Sequence, residues 1–421
     1  MLISPLHGCH HQLRTFVMKT KVFSAIICFI ALFNGFSYSP RRDDGGNLKN
    51  ISYTTPVKDE VDPNVSLDIF FNKFNFTFRG MSYINGRAGY RIGSMQHNAL
   101  SNIPSINIDP FVIDKTVLTV SEFNKFVRIL LSFYKKGGKQ ASDPINLYVY
   151  TSHDSKDKGE EEGQYDTVFH LSDEDLYNML VKNNEGENDE VLEWHVREYL
   201  ELRSDFASKV VNPEYIYDML PWMSNFDDKY NEFLEKYYTD PKNANKPAIG
   251  LNWHQCVEIA KLRTIYCNEY LFNTKKIQRD ARFIVKFSLP NYGQWCLAAE
   301  GSEGICLYGW GSISLTDSEG RVCGNFSNPS YENGVVYVTA VDTFRANTNG
   351  LYDMSGNVYE WLNENDSKYT SRHDAEKMRM VIGGSYASYP EELEIGKYYL
   401  EHELASKPTI GVRFVAEIYH A

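Results

Sequence analysis

Residues 350–361 have the sequence GLYDMSGNVYEW, and this stretch decides the fold. Gly350 and Gly356 lie on either side of a turn-forming Asp-Met-Ser segment, and glycine adopts backbone conformations that strain other residues. Trp361 ends the stretch, and its large apolar side chain suits a region in which loops, not regular ladders, must be held together. The surrounding residues 300–421 are rich in Gly and Asn, with short strand patterns. We therefore expect an irregular, loop-rich C-terminal region.

Upstream of this region, hydrophobic periodicity indicates both strands and helices. Aromatic residues alternate through residues 74–92 with glycine punctuation, a pattern typical of β-hairpins. Residues 111–114 predict another short strand, after which Thr119 or Ser121 opens a helix. Residues 254–271 (HQCVEIAKLRTIYCNEYL) predict an amphipathic helix. The fold class is therefore α+β.

Residues 68–421 are predicted to form one domain with an insertion at about residues 136–210. Within the insertion, residues 153–166 and 183–190 are rich in charge and poor in apolar side chains. Helical patterns lie between and after these runs. We interpret the segment as a decoration of the domain. Its acidic runs are either solvated loops or a site for calcium or a partner.

The composition excludes one broad class of function. The chain has 43 Lys+Arg against 55 Asp+Glu, which gives a net charge of -12, and it has no long basic run. A protein that binds the phosphate backbone needs a basic face. We expect no nucleic-acid partner.

The N-terminus has the parts of an export signal. Two lysines precede a twelve-residue apolar run at residues 22–33, and small residues follow it. This arrangement predicts a signal peptide within residues 1–39, with residues 1–17 an upstream mis-start, although a buried N-terminal helix is the alternative. The apolar run is too short to span a bilayer, and no later stretch predicts a transmembrane span. Residues 40–67 are polar and predict a tether. Cys28 lies inside the apolar run, which makes it a poor lipid-attachment site.

Five cysteines remain after the predicted signal, at positions 256, 267, 296, 306 and 323. An odd number cannot pair completely, and none has the CxxC spacing of a zinc or redox site. Cys306 and Cys323 either bridge a loop or, like the others, are unpaired and mostly buried thiols.

The C-terminal motifs resemble those of the formylglycine-generating enzyme (sulfatase-modifying factor) family. Residues 350–361 resemble its GLYDMSGNVWEW signature, residues 383–386 (GGSY) its GGSW element and residues 410–414 (IGVRF) its closing IGFR. Residues 247–253 (PAIGLNW) resemble its PVVGVSW element. The resemblance extends over roughly residues 75–418 and implies an irregular fold like that of C-type lectins.

The same resemblance implies that the family's oxidase chemistry is absent. The oxidase uses two cysteines after the GGS element to bind copper and to engage a substrate thiol. Those positions correspond to Ser388 and Leu393, and no cysteine follows Cys323. A hydroxyl does not replace a thiolate as a soft ligand and nucleophile, and leucine has no ligating atom. We expect no copper cofactor and no enzyme activity.

Polar positions of the family have also changed. Where the family has the segment LPTEAEWEYAA, this chain has Asn291, Tyr292, Gln294 and Cys296, and Val117 replaces an early glutamate. This drift is the pattern expected when a fold is kept for its shape.

The resemblance does imply one metal site, for a structural calcium ion. Family members bind calcium in the signature loop, and the corresponding ligands here are Asp353, the carbonyls of Gly356 and Val358, and Glu360. Two carboxylates with backbone oxygens suit a hard cation. The alternative is that Asp353 is a turn residue and Glu360 a solvated carboxylate.

Three functions remain open. Residues 261–271 (KLRTIYCNEYL) look like a helix of a non-catalytic branch of the family, the gliding-motility and type IX secretion proteins of Bacteroidetes. This likeness favours a structural subunit in a large complex of envelope proteins, exported to the periplasm and associated with the outer membrane, with homo-oligomerisation left open. The second is a secreted module that binds glycan or protein. The third is an enzyme of unrecognised chemistry, although the chain lacks the histidine pair of the related sulfoxide synthases.

Overall fold

The computed structural model describes residues 80–91, 105–135, 172–182, 190–210, 212–223, 225, 227–273, 282–301, 306–327, 337–364 and 377–420. The predicted signal peptide, the tether and the acidic run at 153–166 lie outside them, as does all but one residue of the run at 183–190. The architecture is α+β, as predicted, and the described residues form two four-stranded sheets and a two-stranded one. No helix among the described residues is long and apolar enough to cross a membrane.

The first sheet is antiparallel and has the order β1-β4-β10-β5. Its strands are β1 (Met81–Ile84), β4 (Phe111–Asp114), β5 (Phe283–Ser288) and β10 (Val415–His420). β4 has the predicted bounds, and its first three residues are buried because helices and loops cover it.

The hairpin prediction for residues 74–92 can be compared with the structure only at residues 80–91, and there the two strands do not pair with each other. β1 and β2 (Arg87–Tyr90) are strands, but β1 pairs with β4 while β2 pairs with β3 (Ile106–Ile108). The alternation correctly indicated strands. It carried no information about their partners, because every amphipathic strand presents the same period.

Three helices begin with reciprocal capping contacts between side chain and backbone. Thr119, and not Ser121, caps α1 (Val120–Lys135), since its hydroxyl accepts from the Glu122 N–H and its own N–H donates to Glu122 at 2.8 Å. Asn252 and Gln255 exchange two such bonds at 2.9 Å before α6 (Trp253–Asn273). Asn291 and Gln294 do the same at α7 (Tyr292–Glu300). The changed polar residues at 291 and 294 therefore have a structural role as a helix cap.

The insertion contains α2 (Asp173–Val181) and α3 (Glu190–Val210), and α4 (Pro213–Asp218) and α5 (Asp228–Thr239) follow it. α3 packs against α6, β5 and β10. Its residues Leu192, Val196 and Tyr199 are almost fully buried. The prediction of a decoration is therefore wrong for α3, which is part of the core.

The C-terminal region is dominated by loops, as predicted. Its sheet has the order β8-β7-β6-β9, with strands β6 (Tyr359–Trp361), β7 (Met378–Ile382), β8 (Tyr398–His402) and β9 (Ile410–Gly411). Gly356 shows why the signature needs glycine: its φ is 88°, and a Cβ there would lie 2.4 Å from the Asn325 carbonyl oxygen. Trp361 is fully buried and donates to the Leu251 carbonyl at 3.0 Å.

Candidate functional site

Three of the sequence motifs meet at Glu360 of the signature. Its carboxylate accepts from Arg413 of the closing motif, at 3.0 and 3.1 Å from Nε and at 2.8 Å from Nη2. Trp295 of α7 donates its indole N–H to the same carboxylate at 2.7 Å. All three side chains are completely buried. The motifs thus form the central polar contact of the fold.

Arg413 ties this contact to the first sheet. Its Nη1 donates to the Asp114 carbonyl at 2.8 Å, and its Nη2 donates to the Tyr352 carbonyl at 2.7 Å. The Asp114 side chain in turn forms a bidentate pair with Arg263 of α6, at 2.6 and 3.0 Å. Buried charges are tolerated in a protein interior when they are paired and hydrogen-bonded, and the charges of Glu360 and Arg413 are both.

The predicted calcium ligands lie together in the signature loop, but the contacts of Glu360 do not fit a calcium site. Both of its oxygens accept N–H groups from Arg413 and Trp295, whereas a calcium ligand must point them at the ion. Among the described residues, no group of three or more His, Cys, Asp or Glu side chains is placed to hold a metal. Calcium binding by Asp353, Gly356, Val358 and Glu360 stays a prediction.

Asp353 is the unusual carboxyl in this loop. It has a φ of 55°, in the left-handed region, and its side chain faces the Asn357 amide at 3.4 Å. Burial raises the pKa of Asp353 to about 8, and the charge on Arg413 offsets only part of that effect. Asp353 is therefore protonated over much of the neutral pH range.

The two positions at which the resemblance places the oxidase cysteines hold a hydroxyl and an apolar side chain. Ser388 is buried, and its hydroxyl donates to the Tyr359 hydroxyl at 2.8 Å while accepting from the Ser385 N–H at 3.1 Å. Leu393 is completely buried in a cluster with Tyr308, Trp310 and Phe326. An apolar side chain therefore fills the second position.

The remaining thiols offer no substitute. All five cysteines are unpaired, so the bridge between Cys306 and Cys323 is not formed. Burial raises the pKa of Cys306 to about 11 and that of Cys267 to about 12, and it raises the pKa of Cys256 and Cys296 further. Cys323 also has a raised pKa. Reactive cysteines have lowered pKa values, and none of these five thiols has one.

Several polar residues of the helix motif at 261–271 have structural partners. Thr264 accepts from the Phe287 N–H at 2.9 Å, and Asn268 bonds both the N–H and the carbonyl of Val285 at 3.0 and 2.7 Å. These two side chains cover the outer edge of β5. Glu269 accepts from Tyr199 of α3 at 2.6 Å and lies 3.2 Å from Arg203, which joins the insertion to α6. The motif is thus the connection between the insertion and the core.

Several tyrosines lie at the surface beside Ser388, and no motif in the sequence predicts this surface. Tyr359 and Tyr399 lie edge to face, with ring centroids 5.7 Å apart, and Tyr337 and Tyr386 form a second pair at 6.5 Å. Tyr337, Tyr389 and Tyr399 expose 65%, 57% and 43% of their surface, which is unusual for side chains of this size. The high tyrosine content was the only sequence signal for this surface.

The family model of the sulfatase-modifying factor enzyme 1-like (FGE-sulfatase) domain matches residues 85–418. Among solved structures, CarF is similar at 15% identity over 80% of this chain and 97% of its own, with a TM-score of 0.40. PvdO from Pseudomonas aeruginosa is similar at 11% identity over 80% of this chain and 94% of its own, with a TM-score of 0.38. Treponema denticola variable protein 1 is similar at 13% identity over the same shares, with a TM-score of 0.37. No curated protein matches the sequence.

Proposed function

The chain belongs to the family of sulfatase-modifying factor enzyme 1-like domains, and from this premise we propose that it works without the family's cysteine chemistry, as a structural subunit of an exported assembly. The observation that carries this proposal is the burial of Leu393 against Tyr308, Trp310 and Phe326. An apolar side chain at this position supports the proposal, because it offers no ligand for a copper ion and no partner for a substrate thiol. Ser388 beside it is held in a hydrogen bond to Tyr359.

The assembly we propose is a secretion or gliding-motility complex of the type IX kind, on the periplasmic side of an outer membrane. Two features of the chain support it: the export-type N-terminus and the helix motif at 261–271. The polar side chains of that motif hold α3 of the insertion to α6 through Glu269 and Tyr199. The predicted insertion is therefore joined to α6 by buried polar contacts, which supports a subunit that presents an additional contact surface.

A cofactor measurement tests the loss of chemistry. The purified full chain, titrated with copper(I) against a chromogenic chelator, should take up no copper, and it should leave a cysteine-containing peptide unoxidised. Stoichiometric copper uptake, or formation of an aldehyde on the peptide, would overturn the non-catalytic proposal.

A deletion measurement tests the role in the assembly. Removal of the gene from the source cells should leave cargo proteins inside the envelope, and the full chain supplied in trans should restore their export. Normal export and normal surface motility in the deletion strain would contradict this role.

The second candidate is a secreted ligand-binding module, and the exposed tyrosines beside Ser388 favour it. Aromatic faces bind sugars and peptides at low entropic cost, since their rings have few rotatable bonds. This candidate predicts a soluble monomer that binds a glycan.

A further inference from the structure

The tyrosine–glutamate face consists of Tyr359, Tyr389, Tyr399, Glu391 and Glu392, next to Ser388. Glu392 lies at its centre. One carboxylate oxygen accepts from the Tyr389 N–H at 2.8 Å, and the other lies 3.4 Å from the Tyr359 hydroxyl. Burial raises the pKa of Tyr399, and a hydrogen bond to Glu392 raises it further, so this hydroxyl also lies at the carboxylate.

The rings are arranged so that a cation can reach them. Tyr359 and Tyr399 pack edge to face with their planes inclined at 77°, so Tyr359 supports the more exposed ring of Tyr399. Tyr389 and Tyr399 are among the most exposed large side chains of the described residues, at 57% and 43%. Ring faces attract cations through their quadrupole, and a carboxylate at the same point adds a full negative charge.

The charges around this face are unbalanced. Ion pairs between the described residues engage other glutamates, such as Glu401 with Lys407 and Glu403 with Arg379. Within that same part of the chain, neither Glu391 nor Glu392 has an ion-pair partner within 4.0 Å. The net charge of the whole chain is -12, so its long-range field also attracts positive groups.

We infer that the tyrosine–glutamate face binds a basic segment of a partner protein, with a Lys or Arg side chain placed against the exposed ring of Tyr399 and beside Glu392. This inference rests on the proposed function, because it names the chemistry of a partner in the assembly. A folded structure does not require the ring of Tyr389 to be exposed, whereas a binding surface does. Arginine suits the site best, since its planar guanidinium stacks on a ring while donating to a carboxylate.

The test uses the full chain and a hexa-arginine peptide as the probe, with hexaglutamate and maltoheptaose as controls. Titration calorimetry at low salt should detect binding of the arginine peptide and of neither control. The affinity of the chain for the arginine peptide should fall as salt is added. The Tyr389→Ala/Tyr399→Ala double variant, and separately Glu391→Gln/Glu392→Gln, should each raise the dissociation constant by about tenfold or more, because each removes one of the two attractions. Gln at 392 keeps an oxygen for the Tyr389 N–H, so the fold is preserved.

Matched variants control for unspecific effects. Trp194→Ala removes an aromatic side chain of equal exposure, 58%, on α3, and Glu201→Gln removes an exposed charge on the same helix. Both should bind the probe like the unmodified chain. Equal loss in all variants, or binding of maltoheptaose without binding of hexa-arginine, would overturn the inference.

The native particle separates this inference from the proposed function. If the Tyr389→Ala/Tyr399→Ala variant still forms a large complex and binds hexa-arginine with unchanged affinity, the tyrosine–glutamate face is not a binding site, but the structural role is retained. If the chain is a free monomer that binds hexa-arginine through these residues, the tyrosine–glutamate face is supported as a binding site and the structural role is contradicted.

Discussion

At the scale of the residue, the fold depends on a few buried charges. Glu360 and Arg413 are both fully buried, and each has partners for its remaining polar atoms. A buried ion pair stabilises the fold little compared with apolar side chains of similar size. A buried ion that has lost its partner, however, destabilises the fold strongly. The signature motifs of the family therefore mark the points at which loops are joined.

Arg413→Met tests this contact. It leaves Glu360 charged and buried with only the Trp295 N–H, so we expect a loss of about 3–5 kcal/mol in the free energy of unfolding, measured by urea denaturation. Lys236→Met, which breaks the exposed pair with Glu232, is the control and should change little. A loss for Arg413→Met no larger than that of the control would contradict the account.

Asp353 makes stability depend on pH. Its pKa rises from 3.8 to about 8 on folding, so the folded chain binds more protons than the unfolded chain between those values. Stability should therefore fall as pH rises through this window, by at most about 1.4 kcal/mol per pH unit from this group. Asp353→Asn should flatten the slope between pH 7 and 8 in chelator-treated samples.

Glu269 adds a slope of the same sign, but only up to about pH 7, because burial raises its pKa to about 7. A slope of this sign that remains in Asp353→Asn below pH 7 includes the contributions of Glu269 and of Asp218, whose pKa burial also raises. If calcium is bound through Asp353 as predicted, added calcium should remove the slope at pH 7 to 8 in the unmodified chain alone. An unchanged slope in Asp353→Asn without calcium would show that Asp353 does not titrate there.

At the scale of the element, sequence patterns predicted which segments form helices and strands, but they did not predict which elements pair or pack with one another. The helix predicted at 254–271 is α6, and the strand predicted at 111–114 is β4. The pairing of β1 and the burial of α3 depend on segments distant in sequence, and no local pattern records them. The helix motif was recognised, yet the structural role of Thr264 and Asn268 appears only when β5 is placed beside them.

Asn268→Leu tests the protected edge of β5. The substitution removes the partners of the Val285 N–H and carbonyl inside the protein, so the free energy of unfolding should fall by about 2 kcal/mol or more. It also leaves a strand edge able to pair with another chain, so light scattering at raised temperature should show earlier aggregation. Asn243→Leu removes an amide that donates to only one backbone carbonyl, and it should cost less. The reverse order of the two variants would refute this role.

At the scale of the whole molecule, the candidate site illustrates what a sequence can and cannot give. The absence of cysteine at 388 and 393 could be seen at once, whereas the apolar cluster around Leu393 brings together residues from 308 to 393. The motifs predict a calcium site because their residue types suit one, and this stays a prediction; that Glu360 is paired with Arg413 is visible only in the fold. The tyrosines could be counted, but only the fold shows which ones are exposed.

The size and composition of the native particle, after gentle detergent extraction of the source cells, test the central claim most directly. The account predicts that the chain elutes in a large envelope complex of fixed stoichiometry, with none of the chain in a free monomer. A soluble exported monomer would contradict the structural role and would leave the ligand-binding module as the function.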